Sequence, residues 1–410
     1  MEEPPEGPER PEPRAPLIPR YHGQGYRRED VDRRRRWIEE QTRCALPQVG
    51  ASTLPTESFR GNIENPIGTV QMPLGVAGPL QIRGEHADGV FYVPLATTEG
   101  ALVRSYERGM ALLTRAGGAE VRLYQDENRV APIFLLDSVA AAHAFARSLE
   151  AHFEALKSAA EATTGHGKLR RVECHPVGRR VIVNLVFYTA DAQGMNMIVK
   201  AADAVCQWIA TTLGHDRYQI FSGYNGEKRA AGSLFAGGKG KRVVAGAEIP
   251  ARLVRAFLRV SPAAIVELWH STVLGHLQSA ALGYNGHYAN GLTALFIACG
   301  QDVANVANSA VGITDFEVTP GGDLYASVTL PSLSVATVGG GTALGTSPEC
   351  LKMLGCGGAG GAPRLAEIAA ATLLAGELSM AAAIASGEFV AAHGEYGRNR
   401  PVAETPEVTP

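Results

Sequence analysis

The sequence predicts an α+β protein, in which a large, mostly helical domain carries an inserted ferredoxin-like β-α-β-β-α-β domain. Three observations lead there. The 410 residues exceed what one core needs and suit two or three domains. Between about 131 and 221, strand-like and helix-like segments follow the order of the split β-α-β motif. The flanks hold long apolar runs at helical spacing, at 265–282, 286–310 and 369–392.

Taken in order, residues 1–20 repeat Pro with Glu and Arg and predict a disordered tail without the apolar stretch of a secretory signal. Residues 27–43 mix charges of both signs at helical spacing, which favours a solvated helix over a phosphate site at Arg33 to Arg36. A short apolar strand at 91–95 precedes a helix at 101–113. The insert then opens with a strand at 131–136 and a helix from Asp137 or Ser138 to about Ala162, apolar at Phe145, Leu149, Phe153 and Leu156. Strands at 168–174 and 180–188 are joined by Pro176-Val177-Gly178. A helix at about 195–213 and a strand at 217–221 close the insert.

The larger domain is thus expected at 21–130 and 222–390, with a small helical part at 21–60, the insert at 131–221, and a flap and tail at 391–410. A strand fits 324–330, followed by the glycine turn Val338-Gly339-Gly340-Gly341-Thr342. The Ala-rich run 369–392 carries Glu377 and Glu388 and reads as buried core, since no uninterrupted apolar run reaches the roughly 20 residues of a spanning helix.

Composition narrows the function. A net charge of −3 gives no general attraction for nucleic acid. Six scattered cysteines without a C-x-x-C pair indicate reduced thiols in a cytoplasmic setting and no structural zinc; the histidines show no metal-ligand spacing.

Four separated groups suit acid–base or hydride chemistry. Glu99 lies between a strand end and a helix start, where an N-terminal cap is the plainer reading. Lys228 sits in a glycine-containing loop, as an oxyanion-stabilising ammonium or a surface lysine paired with Glu227. Asp302 falls in an apolar helical run and requires a partner, structural or functional. His393 lies near the terminus, as an exposed bystander or a proton donor on a closing flap. In addition, Asp191-Ala192-Gln193-Gly194-Met195-Asn196-Met197 opens a helix, where free N–H groups suit a pyrophosphate or a simple cap. It is not the G-x-G-x-x-G fingerprint.

Together these segments resemble the hydroxymethylglutaryl-coenzyme A reductase family, in its soluble catalytic portion of the eukaryote and archaeal type. The resemblance runs from Glu64 to His393 and rests on Glu64-Asn65-Pro66-Ile67-Gly68, Pro73-Leu74-Gly75-Val76-Ala77-Gly78-Pro79-Leu80, Ala96-Thr97-Thr98-Glu99-Gly100, Asp191 to Met197, Ala298-Cys299-Gly300-Gln301-Asp302, Thr337 to Thr342 and Ala375-Gly376-Glu377-Leu378-Ser379. It implies reduction of an acyl thioester to mevalonate and coenzyme A by two hydrides from NADPH. The implied catalytic residues are Glu99, which exchanges protons with the substrate oxygen, Lys228, which stabilises the oxyanion, Asp302, which tunes both, and His393, which protonates the leaving thiolate. Asp191, Gly194, Met195, Asn196, Gly339, Gly340, Gly341, Thr342 and Arg398 match nucleotide-binding positions. Ser222, His287 and Asn290 match substrate-side positions, and Arg108 matches a coenzyme A position. The family also implies a homodimer or dimer of dimers with shared active sites, Glu64 to Gly68 matching its dimerisation motif. The net charge leaves no nucleic-acid partner expected, and the family's membrane-anchor region has no counterpart here, so no membrane partner is expected either.

The chain departs from the pattern at several places. Pro66 stands for a valine, and Glu227 for an aspartate. Val130 stands where a substrate-binding arginine is expected, with Arg129 one position away. Gly165 replaces an arginine near the 2′-phosphate, while Arg398 keeps another, so NADPH is favoured over NADH. Asn399 replaces a regulatory serine. Two alternatives follow: a related reductase of a different acyl-CoA, and a non-catalytic ferredoxin-like RNA-binding protein. The second lacks an aromatic-rich RNA-binding strand.

Overall fold

A computed structural model describes residues 16–21 and 25–387. His393, Arg398 and Asn399, together with the whole of the flap and tail expected at 391–410, lie outside the described residues. The chain divides into two compact units, 1–71 and 72–410.

In the first unit, the charged run forms α1 (Arg28–Thr42), followed by α2 (Pro47–Gly50) and a 3-10 turn at Thr56–Phe59. The helix is not solvated all round: Arg34 is buried. Its guanidinium donates to the carbonyls of Pro19 (3.3 Å), Gly25 (3.4 Å) and Pro66 (2.6 Å). Its fork of donors suits three backbone acceptors at once and ties the 64–68 motif to α1.

The second unit is built on one sheet. Its strands are β1 (Leu74–Arg83), β2 (Asp88–Ala96), β3 (Ala119–Val130), β4 (Ile133–Leu135), β5 (Lys168–Val177), β6 (Arg180–Tyr188), β7 (Tyr218–Gln219), β8 (Gly240–Ile249), β9 (Ile313–Val318) and β10 (Leu324–Leu333). The path runs β7-β4-β6-β3-β8-β10-β9, with β5 beside β6 and the β1–β2 hairpin joined to β3. β3 is the bridge: Glu120 to Glu127 pair with β8, and Asn128 to Val130 pair with β6.

On one side of that bridge the order β7-β4-β6-β5 is antiparallel throughout, as in a ferredoxin-like sheet. It is covered by α4 (Val139–Ala151), α5 (Phe153–Glu161) and α6 (Met195–Leu213). These bury a separate core that includes Phe134, Phe145, Leu156, Leu185 and Ile198. The helix expected over 137–162 is two, because His152 (φ −102°, ψ 13°) leaves the helical region between them.

On the other side lie α3 (Leu102–Arg115), α7 (Ala251–Leu258), α8 (Pro262–Gln278), α9 (Tyr288–Ala298), α10 (Val306–Ser309), α11 (Ser347–Met353) and α12 (Gly361–Ala385). By composition α12 is long and apolar enough to cross a membrane, but its side chains are mostly buried in the main core. It packs closely on α3: a Cβ at Gly109 would lie 1.9 Å from the Ala375 carbonyl oxygen, so only glycine permits this approach.

The single helix expected over 286–310 is absent. α9 stops at Ala298, and the Gln301 N–H bonds the Phe296 carbonyl (2.9 Å) across Gly300 at φ 63°. This is a glycine C-terminal cap. It turns Asp302 out of the helix and into a loop.

Candidate active site

Glu99 does not cap α3, whose N-cap is Ala101 at φ 68° without a side-chain bond. Instead its Oε1 accepts from Asn290 Nδ2 at 3.2 Å. Both line a cleft of about 910 Å³ with Ser105, Tyr106, Arg108 and His287. The Arg108 guanidinium is held by the Ser379 hydroxyl (3.0 Å) and carbonyl (2.6 Å).

His287 is oriented from beneath. Its Nδ1 lies 3.0 Å from Glu377 Oε1 and its ring stacks on Tyr106 at 5.3 Å. Glu377 is 1% exposed, and also accepts from the N–H groups of Gly286 and His287 (2.8 Å each) and the Thr314 hydroxyl (2.7 Å). Burial pushes the Glu377 carboxyl upward, but the bond and charge of His287 with the Gly286 and Thr314 bonds outweigh it, so its pKa falls below the ordinary value. Burial, with Glu377 and Glu99 nearby, drives the Tyr106 hydroxyl well above its usual range.

A second cluster gathers elsewhere. Lys228 Nζ meets Asp302 Oδ2 at 2.7 Å, while Asp302 Oδ1 accepts from the Ala304 N–H at 3.1 Å. The Asp302 hydrogen bond is the main cause that raises the Lys228 pKa. Lys228 adopts φ 54°, a costly conformation for a side chain with a Cβ. Its loop is braced from several directions. The Ser222 hydroxyl donates to the Ala131 carbonyl (2.7 Å), and Arg129 Nε to the Asn225 carbonyl (3.2 Å). The Arg129 guanidinium lies over Tyr224, whose ring packs at a tilt against His175. Alternation along β3 explains the departure at 129–130: Val130 enters the small core, and Arg129, 5% exposed, faces the loop.

The expected nucleotide segments meet beside this pair. The Asp191 carbonyl accepts from the N–H groups of Thr337 (2.9 Å) and Val338 (3.2 Å). The Asp191 carboxylate caps α12 through the N–H groups of Gly360 and Ala362 (3.0 Å each), a structural use that the sequence does not disclose. Gly194 (φ 76°) starts α6 without a side-chain cap, Asn196 is exposed, and Met195 turns inward. Gly339 and Gly340 (φ 86° and 55°) form the facing turn, closed by the Thr342 hydroxyl on the Gly339 carbonyl (2.7 Å). Gly300, two residues before Asp302, packs directly on this turn, since a Cβ there would lie 2.3 Å from the Gly341 carbonyl oxygen. Gly300→Ala is therefore expected to cost about 2 kcal/mol or more, the left-handed penalty plus the overlap. Gly340→Ala, at φ 55°, meets open space and is expected to cost about 1 kcal/mol. Melting curves of the two variants check the order.

Within one chain the two clusters stay apart. Asn290 is in the first turn of α9 and Asp302 lies beyond its last, so the helix from Asn290 to Ala298 alone puts about 12 Å between them at ~1.5 Å per residue. Glu377 orients His287, a role that sequence reasoning missed. An acid inside an Ala-rich apolar run was the available signal for Glu377.

A family profile described as Hydroxymethylglutaryl-coenzyme A reductase matches residues 30–398. The chain is 41% identical over 373 residues to the 3-hydroxy-3-methylglutaryl-coenzyme A reductase of Methanothermobacter thermautotrophicus, covering 90% of this chain and 94% of that one. It is 43% identical over 375 residues to that of Aeropyrum pernix, covering 89% of each. In fold it is similar to the class II 3-hydroxy-3-methylglutaryl-CoA reductase of Streptococcus pneumoniae, solved bound to NADPH in open conformations. That match has a TM-score of 0.65 at 19% identity and covers 86% of this chain and 96% of the other.

Proposed function

The chain belongs to the hydroxymethylglutaryl-coenzyme A reductase family, and on that premise we propose that it reduces 3-hydroxy-3-methylglutaryl-CoA to mevalonate and coenzyme A with two hydrides from NADPH. One observation carries the reading: a lysine held by an aspartate at 2.7 Å, beside two glycine-bearing backbone turns suited to a dinucleotide. The first hydride adds to the thioester carbon, and the Lys228 ammonium stabilises the resulting oxyanion. The C–S bond then breaks, His393 protonates the departing thiolate, and an aldehyde remains. The second hydride reduces that aldehyde, and Glu99 delivers the proton to its oxygen. Asp302 holds Lys228 in place. His287, Asn290 and Ser222 bind on the substrate side, Arg108 on the coenzyme A side, and Arg129 acts through the loop it braces.

NADPH supplies the hydride when bound. The residues fit it, because the uncapped start of α6 at Gly194 and the open Gly339–Gly340 turn offer backbone N–H groups to an anion. Met195, Asn196, Gly341 and Thr342 continue that surface; Arg398 is assigned to the cofactor by resemblance alone, and Asp191 supports it by capping α12.

The distance along α9 supports a site made from two chains, with Glu99, Asn290 and His287 of one facing Lys228, Asp302 and the nucleotide of the other. A homodimer, or a dimer of such dimers, is part of this proposal. So is a cytoplasmic location, supported by six unpaired cysteines.

The enclosure of Arg129 favours a second reading, a reductase of a different acyl-CoA. Steady-state oxidation of NADPH and NADH with a panel of acyl-CoA thioesters decides. Turnover is expected with hydroxymethylglutaryl-CoA and NADPH; no turnover of that thioester beside turnover of another overturns the first reading.

A further inference from the structure

We propose that Lys239, a residue with no exposed surface, is a positioning residue that couples the nucleotide loop to Lys228. The proposal rests on the role given to Lys228 above.

Lys239 lies just before β8, where Gly238 and Gly240 both take positive φ (80° and 87°) and turn its side chain inward. Its ammonium meets three groups. It forms an ion pair with Glu227, the residue before Lys228. It donates to Asn128 Oδ1 at 2.7 Å, and lies 3.2 Å from Met195 Sδ, in the first turn of α6. Each contact leads to the same two places. Asn128 Nδ2 donates to the Gln193 carbonyl at 2.7 Å, and the Gln193 side chain reaches back to Glu227 Oε1 at 3.2 Å. Thus one buried ammonium holds the residue preceding Lys228 and, through Asn128 and Met195, the segment that starts α6.

An ammonium with no solvent is expensive, and burial lowers the Lys239 pKa while Glu227 draws it back. A merely structural pair could be replaced by apolar side chains. The chain instead keeps a charge whose partner is one residue from the strained φ of Lys228. Glu227 is also one methylene longer than the aspartate usual at this place. That length carries its carboxylate to Lys239 and leaves Asp302 as the partner of Lys228. Without Lys239, the partly buried Glu227 carboxylate would keep only its Gln193 bond and, next to Lys228, compete with the oxyanion for its charge.

The test is a double-mutant cycle on the full chain with Lys239→Met, Glu227→Gln and both. The double variant removes both charges and leaves neither unpaired, so it is expected to fold even if Lys239→Met alone does not. Two quantities are read: kcat with saturating substrates, and the Kd of NADPH alone by fluorescence. Each variant that folds, the double included, is expected to lose kcat by about 10- to 100-fold and to bind NADPH about tenfold more weakly, with little change in the KM of the thioester, because each opens the same clamp. A double variant with wild-type kcat and wild-type NADPH affinity shows that Lys239 only neutralises a buried acid, and overturns the proposal. If the wild type fails to turn over hydroxymethylglutaryl-CoA, the functional reading fails, while the NADPH affinities still decide the role of Lys239.

Discussion

Lys228→Ala is expected to lower turnover by at least about 1,000-fold, because it removes a preorganised cation from the developing oxyanion. Stability should scarcely respond. The Lys228 and Asp302 side chains are 47% and 42% exposed, and solvent screens a pair of that kind to at most about 1 kcal/mol. Asp302 keeps its bond to the Ala304 N–H, so its loop retains a tether. Alanine also keeps the left-handed backbone strain, which leaves no compensating gain at φ 54°. Turnover and melting temperature, measured on the same preparation, should therefore separate. Near-normal turnover would refute the assigned role, and a collapse of the fold would mean that the pair is structural.

Glu377→Ala is expected to do the reverse and strike stability hardest. It deletes a buried carboxylate that accepts from four donors on Gly286, His287 and Thr314, and it strands those donors. Breaking such a network costs about 3–5 kcal/mol. The pH dependence has a definite sign. Burial acts to raise the Glu377 pKa, the His287 interactions and the Gly286 and Thr314 bonds lower it, and the lowering prevails. Its stabilisation is therefore full above the unfolded value of about 4.3 and is lost as pH falls through the lower folded value. Wild-type melting temperature should drop across that acid window, and the Glu377→Ala variant should lack this part of the slope. An identical acid slope in both proteins would show that the carboxylate titrates alike in folded and unfolded chains. Activity should fall with stability, because His287 loses the anchor that sets its ring over Tyr106.

The ferredoxin-like order was legible because its elements are short, apolar and separated by plain turn signals; α6 keeps its expected ends at Met195 and Leu213. Other strands of the sheet were harder to read. β3 is polar through its middle, with Arg122, Gln125, Asp126 and Glu127, and β1 is interrupted by Gly75, Gly78 and Pro79. Tertiary pairing, rather than local pattern, makes these strands. The end of α9 was written at Gly300, yet apolar periodicity on both sides of it outweighed a single glycine. At the site, residue types at motif positions pointed to Glu99, Lys228 and Asp302. Spacing alone is silent on which of them touch, on the enclosure of Arg129, and on the buried partners Glu377 and Lys239. Those contacts join residues 90 or more positions apart in several cases, such as His287 with Glu377.

The central claim is that catalysis needs Lys228 of one chain and Glu99 of another. Lys228→Ala and Glu99→Gln chains, each inactive alone, can be dissociated, mixed and reassociated. In a mixed dimer one site receives both intact residues and the other receives neither. The account predicts recovery of about a quarter of wild-type turnover, since half of the randomly reassorted dimers are mixed and each has one working site. Mixed dimers, verified by differential tags, that show no turnover would contradict it.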